Sequence, residues 1–155
     1  MYELLKSIQT VFNGATDLKT LFPNGCYLTL APYSTPLPTC VLTVASAIPS
    51  YQTDDLETTM FNVTFTVRSN DSDWAIQATE AIKEHFDFQD FEIQGYVPTN
   101  FLPDFPQDFF GGSGSNITLE LIECRRINEG TIQEDERVAQ AFVVYQIQIE
   151  ETLPE

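Results

Sequence analysis

His85 is the only histidine in this chain of 155 residues, and general acid-base chemistry at neutral pH most often recruits that side chain. Its position near the end of an apolar helical stripe suits a simpler task, a favourable charge at a helix C-terminus. Ser-His-Asp or Cys-His catalysis would need the same residue, and no G-x-S-x-G segment is present. Cys26, Cys40 and Cys124 are odd in number and far apart, with neither a CxxC pair nor a neighbouring histidine to complete a metal site. They read as reduced, buried small hydrophobes, and neither a metal nor a cofactor is expected.

Carboxylates are plentiful, with Asp54 beside Asp55, Glu80 four residues before Glu84, and Glu134 followed by Asp135 and Glu136. Glu80 and Glu84 share a helix face with Lys83 nearby, which describes a solvated surface better than a glycosidase pair. Asp71 and Asp73 stand where a helix begins, as caps for free N–H groups; the glycine and distal glutamate of a calcium loop are missing. The glycine-serine run at 111–115 lacks a lysine and precedes a strand, so it reads as a flexible joint and not as a phosphate cradle.

The elements that must position these residues are more informative. Phe61, Val63, Phe65 and Val67 alternate with polar residues, which predicts a half-buried strand. Trp74, Ala78, Ala81, Ile82 and Phe86 recur at helical spacing and supply its cover. Leu4, Leu5, Ile8, Val11 and Phe12 form the inner side of an opening helix that Asn13-Gly14 ends. A second short helix is expected at 16–22, and the main one at 72–85. Strands are expected at 26–31, 39–48, 58–69, 91–97, 117–127 and 138–150. The two hairpins cross a polar stretch at 46–59, with 49–57 at its tip, and another at 128–137. The sum is six strands and three helices in a single α+β domain over residues 1–155, a mostly antiparallel sheet with helices packed on one face. Residues 98–116 form a long connection that carries Phe101, Leu102, Phe105, Phe109 and Phe110. Such a loop either folds back over the sheet or meets another subunit.

A net charge of −16, with twenty-three Asp and Glu against seven Lys and Arg, disfavours adhesion to phosphate backbones and anionic lipid. Twelve Phe and 12% aromatic residues argue against disorder. No stretch approaches the roughly 20 apolar residues that span a bilayer, and the N-terminus has no signal-peptide pattern, so a soluble protein made in a reducing cytoplasm is expected.

In order, these elements resemble the tail terminator, or tail completion, proteins of long-tailed bacteriophages. The likeness rests on the opening helix at 2–12 with the short segment at 17–22, the strand beginning Pro38-Thr39-Cys40-Val41, the hairpin into 59–69, the helix at 73–86 and the closing strand at 141–149. It consists of pattern and order, with no invariant motif, and the aromatic loop at 98–116 departs from it. The resemblance implies a hexameric ring, without catalysis, that caps the head-proximal end of the tail tube, ends tail polymerisation and forms the surface that joins the head. The implied partners are further copies of the chain, the tail tube protein and a head-tail connector or neck protein. The implied location is the virion, after assembly in the host cytoplasm. An acidic channel would let DNA slide through without specific binding. On this reading the contacts to subunits or tube come from Tyr51, Gln52, Thr53, Leu56, Phe101, Leu102, Phe105, Phe109 and Phe110. The channel acids come from Asp54, Asp55, Glu57, Glu134, Asp135 and Glu136.

Three alternatives stay open on the residues alone. One is another phage neck, head-tail connector or minor tail protein. Another is a monomeric cytoplasmic module whose aromatic loop closes over a small molecule or peptide. The last is a carboxylate hydrolase with or without magnesium.

Overall fold

The computed structural model describes residues 2–32, 34–53, 56–93, 118–133 and 137–152. Three helices, α1 (Tyr2–Gly14), α2 (Thr16–Leu21) and α3 (Ser72–Phe86), accompany five strands: β1 (Cys26–Leu28), β2 (Thr39–Gln52), β3 (Leu56–Ser69), β4 (Thr118–Gln133) and β5 (Ala139–Thr152). The strands form one sheet in the order β1-β2-β3-β5-β4. Only the β1/β2 pair is parallel; the others are antiparallel. The α+β class with a mostly antiparallel sheet is therefore correct.

Period-two burial sets the core face. Phe61, Val63, Phe65 and Val67 of β3 lie beside Val143, Tyr145 and Ile147 of β5, all buried. Ala75, Ala78, Ile82 and Phe86 of α3 lie inward against them, and Leu4, Leu5, Ile8 and Phe12 of α1 extend the layer towards β1. Aromatic rings knit the two layers. Phe65 stacks on Phe12 at 6.1 Å between ring centroids, meets Phe86 at 4.9 Å and takes Tyr145 edge-on at 6.0 Å. The opposite face of the sheet carries no described helix.

Local chemistry sets the joints. Asp71 caps α3, its Oδ1 accepting from the N–H groups of Asp73 at 2.9 Å and Trp74 at 3.3 Å. Gly25 turns the chain into β1 at φ 73°, where a Cβ would overlap the Asn13 side chain. That side chain is needed in place, because its Oδ1 accepts the Cys26 N–H at 3.3 Å.

Several expected boundaries move. The stretch 46–59 is mostly ladder: pairing continues from Ser46↔Asn62 to Gln52↔Glu57, so the connection between β2 and β3 is far shorter than expected, with Asp54 and Asp55 in it outside the described residues. Threonine and serine in this stretch are sound strand residues when one face is wet. Shifts of register at Val44/Ser46 and Pro49/Tyr51 absorb the proline, which sits where β2 has no second neighbour among the described residues. β1 ends at Leu28: the Thr29 N–H still donates to the Leu42 carbonyl at 2.8 Å, but its φ of 67° turns the chain away from β2 beyond that bond. The strand expected at 91–97 does not form over 91–93, and the rest of that range lies outside the described residues, as does 98–116. β4 and β5 instead run longer than expected, so the described sheet has five strands and not six.

Candidate interaction site

Three strand ends meet at the β2–β3 hairpin end of the sheet. Leu56 pairs with Thr152, Thr152 pairs with Thr118, and Glu57 pairs with Glu151. Gln52 and Thr53 are exposed there, while Leu56 and Glu57 are half-buried. The turn is pinned by the Thr53 N–H, which donates to the Leu56 carbonyl at 2.7 Å. The backbone of Tyr51 pairs with Thr58. Asp54 and Asp55, between these strand ends in sequence, lie outside the described residues.

Register adds acids that reading along the chain had not grouped. Glu57 stands opposite Glu151, and Glu120 stands opposite Glu150. Among the described residues none of these four makes an ion pair, although the Thr59 hydroxyl donates to Glu57 Oε1 at 3.4 Å. Like charges placed directly opposite each other destabilise a ladder, so each pair costs stability where it stands, one on either face of the sheet because Glu150 and Glu151 are consecutive. Glu120, Glu150 and Glu151 were missed because each belongs to an ordinary alternating strand, and only pairing across the sheet gathers them.

Glu134, Asp135 and Glu136 lie outside the described residues, and the strand ends flanking them, Gln133 and Ala139, pair at the far end of the sheet. The Leu56↔Thr152 and Ser69↔Ala139 pairs are separated by the full length of β3, roughly 40 Å at about 3.3 Å per residue. Within one chain, then, the two sets of expected channel acids are attached to opposite ends of the sheet. Phe101, Leu102, Phe105, Phe109 and Phe110 are outside the described residues.

The histidine, the cysteines and the Glu80 carboxylate are held in structural pairs. His85 Nε2 lies 2.8 Å from Asp17 Oδ1, tying α3 to α2, and this hydrogen bond lowers the Asp17 carboxyl below its ordinary range. Cys26 and Cys40 are buried neighbours with sulfurs 3.7 Å apart, and burial raises the Cys40 thiol well above its usual value. Burial likewise pushes the Cys124 thiol up to about 12, and that thiol contacts the Phe86 carbonyl at 3.3 Å. These are conditions that disfavour a reactive thiolate. Lys83 bridges Glu80 and Glu129, the latter at 2.8 Å, and Arg126 joins Glu129 at 3.1 Å to Asp87 at 3.4 Å. No group of three or more metal-binding side chains is assembled among the described residues. No described helix is long and apolar enough to cross a membrane.

A shallow groove also runs along the first half of β4. One part, of about 440 Å³, lies between Asp90–Ile93 and Leu119–Leu121. Its continuation, of about 260 Å³, is lined by Phe88, Gln89, Asp90 and the Leu121 to Cys124 stretch of β4.

No family model matches the chain, and no curated protein matches it in sequence. Its fold does match solved structures. One is a chain from the virion of a native gene transfer agent particle, with a TM-score of 0.66 at 10% sequence identity over 95% of this chain and 94% of that one. At that identity the likeness is one of fold, and it takes in nearly the whole of both chains.

Proposed function

We propose that this chain is a structural virion protein. More specifically, it closes the head-proximal end of a phage-like tail tube as a ring of six copies, ending polymerisation and presenting the surface that joins the head. The observation that carries the reading is the near-complete overlap in fold with a chain of a virion particle. The order of helices and hairpins adds the resemblance to tail terminators. The proposal assigns the chain no reaction; its partners are copies of itself, the tube protein and a head connector, with DNA passing through unbound.

Two features of the sheet suit a ring. A closed ring needs two different surfaces on each subunit. β2 is paired by β1 only at Cys40–Leu42, so most of its outer edge has no described neighbour, and β4 pairs with no described strand on its outer side, where the Phe88 N–H reaches the Cys124 carbonyl. The sheet therefore offers two distinct edges. At the hairpin end, Glu57 and Glu151 on one face of the sheet and Glu120 and Glu150 on the other would hold counterions and repel phosphate.

The test is electron microscopy of particles that lack the protein. A missing terminator leaves separate heads and tails of irregular length. Finished tails of uniform length beside unjoined heads would instead assign the chain to the neck, as a connector. Failure of the purified chain to form a closed annulus on its natural tube would count against the ring.

A further inference from the structure

Phe88 occupies a position that its own chemistry does not favour. α3 ends at Phe86, Asp87 forms its C-cap, and Phe88 follows at φ 53°. This first residue beyond the cap is commonly left-handed, and glycine or asparagine enters that region at the least cost. Phenylalanine there gains no shelter in return, because its side chain is 74% exposed. The backbone is nevertheless held firmly, with the Phe88 N–H donating to the Cys124 carbonyl at 3.2 Å.

A second irregularity faces the same space. The register of β4 shifts between Leu121 and Glu123, and the intervening Ile122 is left 48% exposed. Bulges re-aim side chains and interrupt pairing at sheet edges. Phe88 and Ile122 both line the 260 Å³ groove, whose ionisable lining among the described residues, Asp90 and Glu123, is acidic apart from the buried Cys124 thiol. The adjoining groove adds Glu92 and Glu120. Nearby arginines are engaged elsewhere: Arg125 donates to Gln146 at 2.8 Å, and Arg126 is held by Asp87 and Glu129.

We infer that this groove is a docking site for a segment of another protein that combines an apolar anchor with lysine or arginine. Phe88 and Ile122 supply the apolar contact, the carboxylates select for cations, and the β4 edge before Cys124, which pairs with no described strand, offers backbone groups to an extended chain. The inference does not need ring formation, and in a ring it leaves the later part of β4, from Arg126 to Ile132, as the edge for a neighbouring subunit.

The probe is a short capped peptide in which lysine alternates with valine and phenylalanine, titrated into the full chain and followed by amide NMR shifts. Its counterpart with glutamate in place of lysine is the control. The expected result is shifts concentrated at 88–91 and 121–124, with binding at least about tenfold weaker for the glutamate peptide and for Phe88→Asn. Phe88→Asn should hold or raise the melting temperature, because asparagine suits the backbone better, and this separates docking from a structural role. Shifts spread over the whole acidic surface would overturn the inference, as would equal binding of both peptides. So would a Phe88→Asn variant that melts lower yet binds as before. Concentration-dependent self-association that Phe88→Asn abolishes would make a second copy the occupant and overturn it as well.

Discussion

Tyr145 donates its phenolic hydrogen to Asp87 Oδ1 across 2.7 Å, which ties the middle of β5 to the residue that caps the end of α3. Burial raises the Tyr145 hydroxyl above its ordinary pKa, and the hydrogen bond to Asp87 adds to that, so it remains a donor throughout the neutral range. Tyr145→Phe should cost about 1.5 to 3 kcal/mol, the range for a hydrogen bond to a charged group. Urea unfolding measures this directly. A cost near zero would mean that Arg126, 3.4 Å from the other Asp87 oxygen, already satisfies the carboxylate.

Acid should loosen the contact between α3 and β4. Hydrogen bonding to Lys83 lowers the Glu129 carboxyl below its ordinary 4.5, so its contribution is present above that value and is lost as pH falls through the lowered one. Burial pulls Lys83 downwards, but its bonds to Glu129 and Glu80 outweigh that and raise it above 10.5, so the same bridge fails at the alkaline end only above that pH. Glu129→Gln should therefore be less stable than the parent at pH 7, and the gap should close as the pH falls below 4.5 and through the lowered pKa. Unfolding midpoints collected from pH 7 down through the carboxylate range provide the check, and a gap that does not narrow as the pH falls would rule out the carboxylate as its source.

Gly25→Ala tests a backbone requirement. The left-handed φ and the overlap with Asn13 act together, and the expected loss is at least about 1 kcal/mol. Asn13→Ala should lose less, about 1 kcal/mol for the hydrogen bond to the Cys26 N–H. In the double variant the steric part of the glycine cost should fall away, so the two losses should add to more than the pair together. Strict additivity would place the whole effect of Gly25→Ala in its backbone conformation.

The fold was readable wherever one local period decided it. Alternation at 61–67 and 143–149 set the core face of the two central strands, and the stripe from Ala78 to Phe86 set the inner side of α3. The polar stretch at 46–59 misled because threonine and serine suit both a turn and a wet strand, and only its partners, β2 against β3, decide between them. The site was less legible for the same reason. Gln52, Thr53, Leu56 and Glu57 do gather at a strand end, but Glu120, Glu150 and Glu151 reach them through pairing between segments far apart in the chain. Lys83 and Glu129, 46 residues apart, are another such product of register. Phe88 carries no signal in its neighbours, since its left-handed backbone follows from where α3 stops against β4.

The glutamate pairs at the hairpin end set stability and function against each other, which gives a test of the channel reading. Glu57 and Glu151 face each other across β3 and β5, and Glu151→Lys turns that repulsion into attraction. The folded chain should gain about 0.2 to 1 kcal/mol, measurable as a rise in the urea midpoint that shrinks with added salt. If this acidic end lines the path of DNA, six new lysines around a ring would hold the duplex by its phosphates, and DNA delivery should fall although ring assembly and tail length stay normal. A stabilised variant whose particles deliver DNA as well as the parent would remove Glu57 and its neighbours from the channel. The cluster would then be left as an ordinary solvated surface at the end of the sheet.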